Sequence, residues 1–218
     1  MESNSRQLLS DVAYEALKQR IISLPGGSHI SIRQFAGEVD MSYTPVREAF
    51  LRMEQEGILK WVPNVGFFVE TIDITEIIQF FQVRECLEVF VLEQVFDQIE
   101  EDHINEMKSI NAKQYDALST GNIQEYQSLD LQFHEVIFKI YGNKLILDFY
   151  RSLRQRYLIV SSKIGKWLSD EAFIEHNEYF NSLETGNKQK AIQELSQHIK
   201  KNMERMKEGY INLIMGNK

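Results

Sequence analysis

The sequence predicts a mainly α-helical protein with two domains, an N-terminal winged helix-turn-helix followed by an all-α antiparallel helical bundle. Residues 41–59 have helical apolar spacing and run directly into two short β-rich segments separated by a turn. After Pro63 the chain contains no further proline, β-hairpin signals stop and helical periodicity dominates. The change falls near residues 71–73, so we predict domain bounds of 1–72 and 73–218.

Two helices are predicted ahead of residues 41–59. Apolar residues recur on one side of residues 6–24, and Pro25-Gly26-Gly27 ends that helix. Ser31, followed three residues later by Gln34, has the spacing of a capping box, and it opens a second helix that runs through Val39. Arg33 falls in the first turn of this second helix.

The third helix has the features of a DNA-recognition helix. Its apolar stripe consists of Val46, Ala49, Phe50 and Met53. Ser42 or Thr44 can cap its first turn, and Tyr43, Thr44 and Arg47 remain at the exposed N-terminal end. Reading a DNA major groove requires such donors at the start of a helix. An ordinary amphipathic surface helix has the same pattern, so the hairpin that follows, with its Pro-Asn-Val-Gly turn at 63–66, favours a winged helix-turn-helix.

These segments resemble the DNA-binding domain of the GntR transcription regulators. The matching segments are Pro25-Gly26, SIRQFA at 31–36, SYTPVREAFLRMEQEGIL at 42–59 and GFFV at 66–69. The resemblance implies that a double-stranded DNA operator is contacted by Arg33, Tyr43, Thr44, Arg47 and Gly66. Where the family usually has an arginine, this chain has Tyr43, so the operator preference of relatives does not transfer. The alternative for each position is a solvated surface group or, for Gly66, a turn glycine.

The charge balance predicts a homodimer. The chain carries a net charge of −8, and residues 1–72 hold seven Lys and Arg against nine Asp and Glu. A monomer with so few local cations would bind DNA phosphates weakly, whereas a dimer on a two-part operator would have twice as many phosphate contacts. The single cysteine, Cys86, fits a reducing compartment. Because we find neither a membrane span nor a secretion signal, we expect a cytoplasmic protein without membrane contact.

The second domain is expected to contain six helices joined by short loops. We predict them at residues 73–96, 101–118, 123–141, 144–163, 169–183 and 188–214. This bundle resembles the FCD ligand-binding domain of the FadR subfamily within the GntR regulators. The matching residues are Arg84 with Leu87-Glu88, Asp130 with His134, Gly142-Asn143, Glu175-His176 and His198. With the winged domain, the resemblance covers nearly the whole chain.

A metal site is predicted inside the bundle. Asp130 and His134 are four residues apart, so both project from one face of a helix. On the resemblance, His176 and His198 join them, and such N and O ligands suit zinc, the most common occupant, or nickel or manganese. A single histidine is more often a hydrogen-bonded group than a ligand, which is how we interpret His29 and His103.

An effector fits beside this metal. A small carboxylic acid could complete the coordination, and Arg84 could bind its other end. The alternative for Arg84 is an ion pair with Glu88 on the same helix. We therefore predict a transcription regulator, acting as a repressor, whose operator affinity changes with a small organic acid. The alternatives are a metal-sensing regulator and a metal-dependent enzyme, although we find no phosphate loop, nucleophile elbow or clear general base beside the ligands.

Overall fold

The computed structural model of the protein describes residues 2–160, 164 and 170–216. Contacts between these residues divide the chain into two units. The first contains the described residues of Met1–Ile72 and Gln155–Lys163, and the second those of Asp73–Arg154 and Ile164–Lys218. In the described part of the chain, no helix combines the length and the apolar character that crossing a bilayer demands.

The first unit is a helix-turn-helix with a three-stranded antiparallel sheet. Its elements are α1 (Glu2–Ile22), β1 (His29–Ile30), α2 (Ile32–Glu38), α3 (Tyr43–Gln55), β2 (Leu59–Val62) and β3 (Gly66–Val69). The predicted hairpin is β2–β3, with Leu59 opposite Val69 and Val62 opposite Gly66. The short strand β1 pairs with the other side of β3 and was not predicted, because two residues are too few to show an alternating pattern.

At the starts of α2 and α3, the capping hydrogen bonds differ from those that the sequence predicts. The Ser31 hydroxyl accepts a hydrogen bond from the Gln34 N–H at 3.4 Å, but the Gln34 side chain donates to Glu38 rather than back to Ser31. The capping box at α2 is therefore only half formed. At α3 the N-cap is Ser42, and its side chain makes no capping hydrogen bond. Other contacts of α3 must fix its start, and its buried apolar stripe supplies them.

The last described turn of α7 (Lys144–Val160) belongs to the first unit. Ile159 is part of the apolar core that contains Phe50 and Met53. The Gln155 amide donates to the Tyr14 hydroxyl at 2.7 Å, and the Arg156 Nε donates to the Gly57 carbonyl at 3.2 Å. Sequence periodicity places residues along a helix but not the partners of its last turn, so the predicted bounds did not include this contribution.

The second unit is the expected helical bundle. Its other helices are α4 (Ile74–Val95), α5 (Glu101–Thr120), α6 (Ile123–Tyr141), α8 (Asp170–Glu184) and α9 (Lys188–Ile214), with a short 3-10 turn at Phe96–Gln98. Asp73 and Glu76 form a complete capping box at the start of α4. Gly121, Gly142 and Gly186 have positive φ angles and end α5, α6 and α8. Residues 161–163 of the predicted fourth helix and Ser169 of the fifth lie outside the described residues.

Helix α6 lies at the centre of this bundle. It packs against α4 and α5, while α8 packs against α5 and α9, and α9 against α4. All six residues from 133 to 138 are buried, so α6 has neighbours on every side along this stretch. Polar side chains there face other helices rather than water, and their hydrogen bonds must come from within the protein.

Candidate metal centre and nucleic-acid interface

The four predicted metal ligands converge in the middle of the bundle. Asp130 and His134 come from α6, His176 from α8 and His198 from α9. One potential ligand atom from each lies within 4.8 Å of all the others, and all four residues are buried. The spacing of four residues on α6 sets the first pair side by side, and the packing of α8 and α9 brings the other two.

Each of the three imidazoles is held by a partner at its Nδ1 atom. Nδ1 of His134 lies 2.8 Å from Glu88 Oε2. Nδ1 of His176 lies 2.9 Å from Asn111 Oδ1, and Nδ1 of His198 lies 2.8 Å from Glu175 Oε2. Asn111 and Glu175 accept hydrogen bonds from His176 and His198, so in these two rings Nδ1 carries the proton and Nε2 presents a lone pair. The short distance from His134 Nδ1 to the Glu88 carboxylate favours the same arrangement in the third ring.

The Nε2 atoms show where a metal fits. Nε2 of His134 and His176 is buried and has no hydrogen-bond partner among the described residues, and Nε2 of His198 lies 3.1 Å from the Asn202 amide. A buried nitrogen without a partner is costly, and a divalent cation accepts such lone pairs. The donor set of three imidazole nitrogens and one carboxylate oxygen therefore fits a divalent metal ion.

The ionisation states of these groups suit metal binding. Burial and the neighbouring His198 and His134 hold the pKa of His176 well below its usual range, and burial likewise lowers the pKa of His198. Both rings are therefore neutral near pH 7. Burial alone would raise the pKa of Asp130, yet the charges around it, Arg154 first among them, hold that pKa well below its usual value. The result is an ionised carboxylate beside these two neutral imidazoles.

Arg84 makes the contact that we considered as its alternative. Its Nε donates to Glu88 Oε1 at 2.7 Å, and the Tyr150 hydroxyl donates to the same oxygen at 3.0 Å. Since Glu88 also faces His134, Arg84 supports a metal ligand through this carboxylate. One guanidinium nitrogen, Nη2, is buried and has no partner among the described residues, so Arg84 keeps one donor for a further group.

Sequence reasoning missed Arg154, a second buried arginine at the site. Arg154 on α7 donates from Nη2 to Asp130 Oδ2, and Gln114 donates to the other carboxylate oxygen at 3.2 Å. Its Nε and Nη1 are buried and have no partner among the described residues. A signal existed, because Arg154 lies four residues after Tyr150 and three before Tyr157, on the inward stripe of α7.

The predicted DNA contacts of the first unit lie on its surface. Arg33 in α2 and Tyr43, Thr44 and Arg47 in α3 are all exposed. No ion pair occupies Arg33 or Arg47 among the residues that the structure describes. Tyr43, Arg47 and the exposed Trp61 of β2 line a cavity of about 350 Å³ beside the start of α3. Both arginines are therefore available to a phosphate or a base edge.

Two other positions have structural roles that the sequence did not reveal. Gly66 has a φ angle of 131°, and a Cβ atom there would come within 2.7 Å of His29 Nε2, so a glycine is required whether or not DNA approaches. Arg52 is a further cation of α3, on the turn after Arg47. Its guanidinium lies 4.1 Å from the Tyr14 ring centroid and pairs with Glu56 and Asp11, so its charge is largely neutralised.

Comparisons with known proteins match both units. Residues 9–69 match the bacterial regulatory proteins of the gntR family, and residues 79–201 match the FCD domain. The gluconate operon transcriptional repressor of Bacillus subtilis is 25% identical over 197 residues, covering 86% of this chain and 80% of the repressor. The structure of Escherichia coli McbR/YncC superposes with a TM-score of 0.78 at 18% identity, over 93% of this chain and 98% of that one. The metal-free FCD domain of the regulator TM0439 superposes with a TM-score of 0.55 at 24% identity, over 65% of this chain and 99% of that one.

Proposed function

Because the chain belongs to the GntR family of bacterial regulatory proteins and carries an FCD domain, we propose that it is a repressor controlled by a metal-bound organic acid. Family membership makes the chain a transcription regulator and sets aside the alternative of a metal-dependent enzyme. The repressor activity is proposed from the named function of the Bacillus subtilis relative. A cytoplasmic location, where the operator would be, is part of the same proposal.

The proposed metal ligands are Asp130, His134, His176 and His198. The observation that carries this part is the pair of buried Nε2 atoms without partners, on His134 and His176. Zinc is the first choice because it binds three imidazoles and a carboxylate readily, and nickel or manganese are alternatives. When bound, the ion supplies a Lewis acid to which a carboxylate group of an effector can attach.

The proposed effector is a small organic acid. Two buried guanidinium groups, of Arg84 and Arg154, lie at the site with unpaired N–H donors. Such donors bind carboxylates through short, charge-assisted hydrogen bonds. Arg84 therefore combines the two roles considered for it, because its Nε holds Glu88 and its Nη2 remains for the effector.

The proposed DNA interface consists of Arg33, Tyr43, Thr44 and Arg47, with the backbone at Gly66. The exposure of these side chains and the absence of ion pairs at both arginines, within the described residues, support this assignment. Tyr43 replaces a guanidinium by a ring and one hydroxyl, so the preferred operator should differ from that of relatives with arginine there. The acidic chain favours binding as a homodimer on two half-sites.

The decisive test is an operator titration at fixed salt, using a site selected from a random DNA library. We expect an organic acid to change the operator affinity of the metal-loaded protein by about 1–3 kcal/mol, a typical coupling between two sites. The chelated protein should respond much less. An equal response with and without metal would contradict the role of the ion. If the metal alone changed the operator affinity and acids had no effect, the protein would be a metal sensor.

A further inference from the structure

The carboxylate among the four ligands and the two carboxylates that contact ligand histidines each form an ion pair with an arginine. Glu88 pairs with Arg84 at 2.7 Å, and Asp130 pairs with Arg154. Behind His198, Glu175 accepts hydrogen bonds from both terminal nitrogens of Arg205, at 2.9 and 3.0 Å. Arg205 also pairs with the exposed Glu171, and Lys201 lies 3.7 Å from Glu175, so these two further charges balance each other. The first two pairs are almost completely buried, with 0–2% of the two arginine residues exposed.

These pairs leave no negative charge to balance a metal ion. Imidazoles that bind a metal are neutral, so the ligands and their partners together carry no net charge. A divalent ion would then bring two uncompensated positive charges into the bundle. An uncompensated buried charge is strongly unfavourable, so the loaded site requires two negative charges from outside the protein.

The arginines also retain donors that a second anionic group could use. Arg154 has unpaired Nε and Nη1, and Arg84 has an unpaired Nη2. The two residues come from different helices, α7 and α4. Arg154 donates directly to the ligand Asp130, and Arg84 donates to Glu88, whose other oxygen lies 2.8 Å from Nδ1 of the ligand His134. The Tyr179 hydroxyl, also buried and unpartnered, adds a neutral donor.

We infer that this protein binds its divalent ion together with a dicarboxylate, one carboxylate at the ion and the other on the guanidinium groups of Arg154 and Arg84. This inference rests on the metal site of the proposed function and specifies its effector. By thermodynamic linkage, the dicarboxylate must raise the affinity for the ion by the same factor as the ion raises the affinity for the dicarboxylate. A monocarboxylate leaves one positive charge unbalanced and one set of donors unpaired.

Calorimetric titration of the metal-stripped, full-length protein with Ni²⁺ tests this. The titration is done alone, with succinate and with butyrate, which share a four-carbon chain but carry two and one carboxylates. We expect succinate to raise the Ni²⁺ affinity about ten- to a hundredfold more than butyrate, the value of one charge-assisted pair. Equal effects of the two acids, or no effect of either, would overturn the inference.

Substitution of Arg154 gives a second readout with an opposite sign. In Arg154→Gln the site becomes negative, so Ni²⁺ alone should bind more tightly while the advantage of succinate over butyrate shrinks severalfold. Arg154→Lys keeps the charge and should keep most of the preference. Arg151→Gln is the control, since Arg151 lies one turn earlier on α7, has a partly exposed side chain and pairs with Glu135 rather than with Asp130. A lower Ni²⁺ affinity of Arg154→Gln in all three titrations would show a structural role only and overturn the inference.

A second variant and a separate measurement complete the design. If circular dichroism shows that Arg154→Gln does not fold, Arg84→Gln changes the charge in the same direction and carries the same two expectations. The operator titration stays independent of these binding experiments. If succinate is preferred but operator affinity does not change, the proposed regulation is refuted and the inference of a dicarboxylate stands. If butyrate and succinate change operator affinity equally, the regulation stands and the inference of a dicarboxylate is refuted.

Discussion

In the winged unit, the arginines proposed to meet DNA are exposed and form no ion pair among the described residues, whereas at the metal centre each buried charge has a designated partner. Arg47 lies free at the start of α3, while Arg154 is enclosed in α7 against Asp130. An exposed arginine that later binds DNA remains hydrated in the free protein, so leaving it unpaired costs little free energy. Charges inside a bundle must be compensated before any ligand arrives.

The largest expected effect comes from removing a metal ligand. His134→Ala should lose bound metal and the stabilisation that the metal gives, which is about 2.7 kcal/mol when the free ion stands at a hundred times its dissociation constant. Elemental analysis and thermal unfolding with and without metal measure both. His103→Ala is the control, because His103 is not among the four ligands and accepts a hydrogen bond from the Glu100 N–H at the start of α5. Full metal occupancy in His134→Ala would show that the site is misassigned.

The next prediction concerns Glu88, which contacts the ligand His134 without being a ligand itself. Glu88→Gln weakens the carboxylate that holds both His134 and Arg84, so the metal affinity should fall by about ten- to a hundredfold, as for other residues that orient a ligand. A competition assay with a metal-binding dye measures this. Glu85→Gln on the same helix changes partly exposed contacts outside the site, an ion pair with Lys200 and a hydrogen bond from Ser196, and should change the metal affinity little. Similar losses in the two variants would rule out a specific orienting role for Glu88.

On the DNA side, two arginines of α3 provide the comparison. Arg47→Ala should weaken operator binding by about 1–3 kcal/mol and relax the preference at one position of each half-site. Arg52→Ala should mainly lower the free energy of unfolding, since Arg52 stacks on Tyr14 and pairs with Glu56. Operator titration and urea unfolding of both variants separate the two effects. Loss of operator affinity in Arg52→Ala but not in Arg47→Ala would reverse the assignment.

The smallest effect is a pH dependence of the metal-free protein. The pKa of His176 is lower in the folded chain than its usual value near 6.5, so the unfolded chain takes up a proton first as the pH falls. Folding therefore loses stability below about pH 6.5, by about 1 kcal/mol per pH unit for one such group. Urea unfolding in chelator at pH 7.5 and 5.5 measures the loss, and His176→Gln should reduce it. The same pH dependence in this variant would mean that other groups cause it.

The free energy of unfolding should fall further in stronger acid, because Glu175 is protonated there. Although burial opposes it, the contacts of Glu175 with His198 and Arg205 lower its pKa to about 2. A carboxylate whose pKa is depressed by folding contributes stability above its unfolded pKa and loses that contribution as the pH falls towards its folded value. This window lies below that of the histidine, so the two contributions separate along the pH axis.

Local signals in the sequence determined the winged unit and the order of the helices. Pro-Asn-Val-Gly specified the turn between β2 and β3, Asp73 with Glu76 specified the start of α4, and Gly142 ended α6. Each depends on residues within a few positions of one another, where backbone geometry alone sets the contact. The spacing of Asp130 and His134 on one helix face is likewise a local property.

Only the tertiary structure decided how the metal centre is compensated. Arg154 and Asp130 are 24 residues apart, Tyr150 and Glu88 are 62 apart, and His176 and Asn111 are 65 apart, so no periodicity relates them. The same holds for Ile159, which helical spacing assigns to the bundle but which packs into the core of the first unit. A sequence pattern tells which face of a helix is buried. Which partner a buried charge meets there depends on how the helices pack, and that choice sets the charge that a ligand must bring.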